Sequence, residues 1–202
     1  KMKPYLFGAR NTVSIIDLEK TVQKIGEALT FIGKTVKDGK TILFVGTKIQ
    51  IKNLVKSFWE ECQMPFVAER WLGGTFTNFE VIRKRVDYLK TLEKQKAEGN
   101  LEKYTKKERL KIEKEIKDLN FRLGGIKEME KLPEVIFVCD IKKDFSAVKE
   151  ARQKGITVIG IVDTNVDPNL TDYPIPANDD AISSVKYILD KVKETILATK
   201  AI

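Results

Sequence analysis

Three short stretches constrain the fold most, because each is apolar at nearly every central position: Thr41-Ile42-Leu43-Phe44-Val45-Gly46-Thr47, Val135-Ile136-Phe137-Val138-Cys139-Asp140 and Thr157-Val158-Ile159-Gly160-Ile161-Val162-Asp163. A strand without polar alternation hides both faces, and such strands belong to parallel sheets covered by helices on two sides. The segments between them supply those helices. Leu18, Val22, Ile25, Leu29, Ile32 and Val36 recur at three- and four-residue steps, with Asp17 as a cap and Gly39 as a stop. Gly46-Thr47-Lys48 leads into a helix with Ile51, Leu54, Val55, Phe58 and Trp59 on its apolar side. Phe145 to Lys154 forms a short helix closed by Gly155, and Ile182, Val185, Ile188, Leu189, Val192 and Ile196 mark a last one, capped by Asn178 or Asp179. Pro65 to Glu69 adds a short strand and Tyr173 to Pro176 a short extended piece, while Lys3 to Asn11 reads as an irregular lead-in before the apolar run Thr12 to Ile16. Strands alternating with helices predict an α/β fold with a doubly wound parallel sheet.

Residues 78–123 break this pattern. Phe79, Ile82, Val86, Leu89 and Leu92 form one narrow stripe and Ile112, Ile116, Leu119 and Leu123 another, with charges at most other positions and Gly99-Asn100 between. Narrow stripes on two charged helices predict an antiparallel hairpin of coiled-coil character, inserted as an arm between residues 1–77 and 124–202 of the α/β domain. Thr77 with Glu80, and Thr105 with Glu108, have the spacing of capping boxes. Most of the arm's charges read as a solvated face with i,i+4 pairs; the cluster Arg83-Lys84-Arg85 near its root is the exception, suited to phosphates.

Arg70-Trp71-Leu72-Gly73-Gly74-Thr75-Phe76-Thr77-Asn78 joins the two regions. The glycine pair allows positive φ and close backbone approach, and Arg70 and Trp71 offer a guanidinium fork and a flat ring of the kind that meet phosphate and sugar. The plainer reading is a tight turn whose Trp is core. Charge bears on the choice. The net +8 is unevenly spread: residues 1–78 and 79–131 carry +5 each, and residues 132–202 carry −2. A one-sided basic surface is the footprint of a polyanion, either nucleic acid or an acidic membrane; a general lysine bias would spread the excess evenly.

The chain has no histidine, which removes Cys/His zinc sites and imidazole-based nucleophile pairs. Its two cysteines, Cys62 and Cys139, read as small buried hydrophobes of a reducing compartment. No apolar run approaches the roughly 18 residues of a membrane span, and the start has no secretory h-region, so a soluble protein is expected. Lys48, Asp140, Asp163, Asn165, Asp179 and Asp180 fall at strand ends, where doubly wound sheets bind ligands. As an enzyme they would hold Mg²⁺ for phosphoryl chemistry. Neither phosphate-loop fingerprint is present, and helix capping or turn formation accounts for each Asp and Asn. An exposed Lys48 touching one phosphate of a larger polyanion is the reading favoured here.

Lys1-Met2-Lys3-Pro4-Tyr5, Phe44-Val45-Gly46-Thr47-Lys48, Arg70-Trp71-Leu72-Gly73-Gly74, Thr77-Asn78, Leu123-Gly124-Gly125-Ile126-Lys127, Ile161-Val162-Asp163-Thr164-Asn165, Asp167-Pro168 and Ile175 to Ile182 occur in that order. Together they resemble the family of the second protein of the small ribosomal subunit, bacterial and organellar branch. The resemblance implies a flavodoxin-like Rossmannoid domain with an inserted helical hairpin, and a structural role in translation with no catalytic residue, cofactor, metal, small-molecule substrate or membrane. It implies binding to small-subunit ribosomal RNA between head and body, and to neighbouring ribosomal proteins, including help in docking the large first protein near the messenger exit. The place implied is the ribosome, in the cytoplasm or an organelle. Residues before Lys1 are implied too, since family members usually carry a further helix there. Ala68-Glu69 departs from the family, where an amide and a neutral or basic residue are common. The expected RNA-contacting set is Lys3, Arg10, Lys48, Arg70, Trp71, Gly73, Gly74, Asn78, Arg83, Lys84, Arg85 and Lys127. Two alternatives stand beside it: a Mg-dependent phosphohydrolase or nucleotide binder using Lys48 and Asp163, and a hairpin scaffold that binds only proteins.

Overall fold

The computed structural model describes residues 1–201 apart from Thr12 and Glu102. An antiparallel hairpin, β1 (Leu6–Arg10) and β2 (Val13–Ile16), comes first, followed by α1 (Leu18–Lys37). The chain then runs through β3 (Ile42–Val45), α2 (Lys52–Cys62), β4 (Phe66–Val67), α3 (Phe79–Ala97), α4 (Lys106–Leu123), β5 (Val135–Val138), α5 (Phe145–Gln153), β6 (Thr157–Val162), β7 (Tyr173–Pro176) and α6 (Ile182–Lys200). Five of the strands form one parallel sheet in the order β4-β3-β5-β6-β7. This is the doubly wound, flavodoxin-like α/β fold. The extended piece at Tyr173–Pro176 is its edge strand, a position that tolerates Pro174 and Pro176 because one side of an edge strand needs no donors.

Successive strand residues point to opposite faces, and the two cores divide accordingly. Ile42, Phe44, Phe137, Cys139, Ile159 and Ile161 pack under α1, α2 and α6. Leu43, Val45, Ile136, Val138, Val158 and Val162 pack under α5, the start of α3 and the loops around Trp71 and Ile126. Both cysteines are buried and free, as expected of small hydrophobes. The expected α1 face holds from Ile25 onward, with Ile25, Ile32 and Val36 buried and Leu29 packed on the core, but its first turn departs. Leu18 and Val22 are 73% and 69% exposed, whereas Thr21, Ile25, Ala28 and Ile32 turn inward. Thr21, on the inward side, donates its hydroxyl to Pro176 O at 2.6 Å. The lead-in at residues 3–11 also departs from expectation, since Leu6–Arg10 pairs with Val13–Ile16 as a strand; of the expected run Thr12 to Ile16, Thr12 lies outside the described residues.

Helices α3 and α4 pack on each other through Leu89, Leu92 and Ile116. The cross-links run in opposite senses along the two: Lys96 pairs with Glu113 at 3.6 Å, and Asn120 donates to Glu93 at 2.7 Å. Gly99 ends α3 at φ +71°, and Thr105 with Glu108 forms the expected capping box of α4. At the far end of α4 the chain returns beside β4. A Cβ on Gly125 would lie 2.2 Å from the carbonyl oxygen of Phe66, a backbone atom that cannot move aside, whereas one on Gly73 would meet nothing within 4 Å. Gly125→Ala is therefore expected to lower stability by roughly 2–4 kcal/mol, read as a lower urea midpoint at constant slope. Gly73→Ala should leave the midpoint unchanged, and equal losses from both would contradict the packing assigned to Gly125.

Candidate nucleic-acid interface

The loop from Arg70 to Asn78 connects β4 to α3, and its position is set from below by one side chain. Glu150 on α5 is buried beneath it and accepts five hydrogen bonds: from Trp71 Nε1 at 3.0 Å, Gly74 N at 2.8 Å, Phe76 N at 2.9 Å, Thr77 N at 3.1 Å and Thr77 Oγ1 at 3.2 Å. Gly74 makes the turn at φ +90°, a value that favours glycine. The tie to Glu150 corrects two expectations. Trp71 is 7% exposed, packed edge-on to Phe76 with ring centroids 4.8 Å apart, so its ring is core and does not offer a face for stacking. Thr77 does not cap α3; its hydroxyl goes to Glu150, and the helix begins at Phe79 without a side-chain cap. Four of the expected residues do converge, since Gly73, Gly74, Asn78 and Arg85 line one open hollow of about 300 Å³ with Leu72, Val81 and Ile82.

The remaining expected residues divide into free and engaged. Arg70, Lys84 and Arg85 are exposed, with no carboxylate partner among the described residues. Lys3 and Arg10 are exposed on the N-terminal turn and β1, and neither lines the hollow at the loop. Arg83 is half-buried, donating to Met129 O at 3.1 Å with Asp87 at 3.7 Å, and Lys127 pairs with Glu93. Glu69, just before Arg70, is held by Lys52 and, at 2.8 Å, by Lys56, so its charge is met inside the protein.

Sequence reasoning missed α4. Its charges were expected to pair along the helix, yet among the described residues none of its cations has an acidic partner. Lys106, Lys107, Arg109, Lys111, Lys114, Lys117 and Arg122 are all exposed. Two of its four carboxylates are engaged elsewhere, Glu108 in the capping box and Glu113 with Lys96, while Glu115 and Asp118 stay beside its cations with no salt bridge among the described residues. Lys111, Lys114 and Arg122 share a shallow hollow with Asp118. The cation density of residues 103–122 was the available signal.

Lys48 was expected to be exposed, and it is not. Its ammonium lies 2.8 Å from Asp140, 2.7 Å from Asp179 and 2.7 Å from Asp180, with the side chain 14% exposed. Burial works to lower its pKa, but the three carboxylates outweigh that and hold it above the usual lysine range. Burial raises the pKa of Asp179, Lys48 offsets this in part, and Asp140 and Asp163 add repulsion. Asp163, Asp179 and Asp180 bring carboxylate oxygens within 4.8 Å of one another. A crevice with more carboxylates than cations repels phosphate, which counts against a nucleotide there. Asn178, expected as a cap of α6, instead accepts from the N–H groups of Asp180 and Ala181 just ahead of that helix.

A family model described as ribosomal protein S2 matches residues 1–199. Small ribosomal subunit protein uS2 of Geotalea uraniireducens is 48% identical over 197 residues, covering 98% of this chain and 77% of that one. Among the described residues no helix is long and apolar enough to cross a membrane.

Burial acts to raise the pKa of Glu150, but the donors from Trp71 and from the N–H groups of Phe76, Thr77 and Gly74 outweigh it and hold the carboxyl below its ordinary 4.5. A lowered folded value contributes stability that is complete above the unfolded value and lost as pH falls through the folded one. Wild type should thus exceed Glu150→Ala by roughly 3 kcal/mol at neutral pH. That gap should narrow only below about pH 4.5, measured by urea unfolding across pH. A gap that stays constant down to pH 2 would contradict a charge-assisted role.

Proposed function

This chain belongs to the ribosomal protein S2 family, and from that premise we propose that it is a structural, non-enzymatic constituent of the small ribosomal subunit that binds ribosomal RNA. The observation that carries the reading is the sorting of charge. Seven exposed α4 cations lack acidic partners among the described residues, with Arg70, Lys84 and Arg85 likewise free near the root of α3. The strand-end crevice, by contrast, is closed on its own carboxylates by Lys48. Free cations on a helix surface suit the sugar–phosphate backbone, which positions a protein without reading sequence. Residues 78–123 act as an inserted arm on the α/β domain of residues 1–77 and 124–202, and the arm presents the larger part of this surface.

Neighbouring ribosomal proteins are the second class of partner. Phe7, Val13, Ile15, Leu18 and Val22 are exposed on the N-terminal hairpin and the start of α1. Large apolar side chains left in water mark a protein contact rather than an RNA one. Docking of the large first protein of the subunit near the messenger exit fits this patch. The RNA contact itself lies between head and body of the subunit, in the cytoplasmic or organellar ribosome.

The test is the salt dependence of binding to a small-subunit ribosomal RNA transcript. Affinity should fall with a log–log slope of roughly 0.7 to 0.9 per phosphate neutralised. The triple variant Lys111→Ala, Lys114→Ala, Arg122→Ala should lower that slope by roughly 2 to 3. Lys186→Ala, on the acidic final third, should leave it unchanged. A triple variant with the wild-type slope would remove α4 from the interface.

A further inference from the structure

The loop over Glu150 forms the kind of cradle in which proteins hold phosphate. The N–H groups of Gly74, Phe76 and Thr77, the Thr77 hydroxyl and the Trp71 indole converge on one point. Turn amides that converge in this way make an anion-binding concavity. Here the anion is the protein's own carboxylate, supplied by α5 from beneath. A phosphate of bound RNA has no access to those donors. What faces outward is the rim of the loop: Arg70, Gly73 and Asn78 are exposed, and Arg85 joins the last two across the hollow.

We infer that Glu150 is the positioning residue of the RNA interface, a resident carboxylate that fills the loop's anion cradle and so fixes the outward rim before RNA arrives. The inference rests on the RNA-binding reading above. Arg70 immediately precedes the clamped Trp71, and Asn78 immediately follows the clamped Thr77, so the bonds to Glu150 flank both ends of the presented segment. A rim set in advance avoids the ordering cost that a free loop meets on binding. Glu150 is buried under the loop and touches no RNA.

Charge alone predicts the opposite sign from positioning. Removing a carboxylate from a chain of net charge +8 strengthens its attraction for a polyanion, whereas loss of the positioning bonds weakens binding. The experiment measures association of a small-subunit ribosomal RNA transcript with the full chain at several salt concentrations. The proteins compared are wild type, Glu150→Gln, Trp71→Phe, Arg70→Ala, and Arg70→Ala combined with Glu150→Gln and with Trp71→Phe, each verified as folded by circular dichroism. Glu150→Gln should weaken binding roughly tenfold, and Trp71→Phe, which keeps a ring but loses one donor, roughly threefold. Arg70→Ala should cost much less in either background than in wild type, because the contact it removes is already displaced. If Glu150→Gln fails to fold, Trp71→Phe and its pairing with Arg70→Ala decide the matter. Wild-type or tighter binding by the loop variants, with Arg70→Ala still weakening, overturns the positioning role and leaves RNA binding intact. A wild-type protein with no salt-dependent affinity for the transcript overturns both.

Discussion

Burying a carboxylate costs several kcal/mol unless its oxygens are met by donors, and the donors that meet Glu150 all come from one loop. That constraint reaches outward in two directions. It draws Trp71 and Phe76 into the core beside Ala147, Val148 and Ala151 of α5. It also bears on where α3 starts, two residues beyond the clamped Thr77. Ile82 and Val86 then pack on the same core, so the first turns of α3 are continuous with the packing over the sheet.

The sheet topology has a usual place for ligands, and this chain closes it with its own charges. Lys48 lies where a phosphate-binding group would be expected and is held by Asp140, Asp179 and Asp180. Thr47 beside it is bonded to the buried Asp144 through both its N–H at 3.2 Å and its hydroxyl at 2.9 Å. These ties join the ends of β3 and β5 to the start of α6. The same scaffold leaves its free cations elsewhere, on α4 and around Arg70 and Arg85, where no salt bridge among the described residues ties them to a carboxylate. Partner choice follows from which charges the fold satisfies internally.

Local pattern determined the architecture. Runs such as Ile42–Val45 and Val135–Val138 are apolar on both faces, which only a covered parallel sheet accommodates, and helix periodicity, Gly99, Gly155 and the Thr105 capping box mark the helices between them. These signals lie within a few residues of one another, so the sequence carries them directly. Even so, the first turn of α1 was not readable: Thr21 faces inward, where its hydroxyl meets Pro176 O 155 residues away in the chain, and Leu18 faces outward. The roles of Lys48 and Glu150 were likewise out of reach, and nothing local chose between the core and surface readings of Trp71. Glu150 meets its donors across 73 to 79 residues, and Lys48 meets Asp179 across 131. Whether a cation is free or neutralised, and whether an aromatic ring is surface or core, depends on groups that approach only when the crossovers bring strand ends together. The sequence by itself therefore determined the sheet, the helices and the excess of positive charge; tertiary structure alone decided which of those charges face outward.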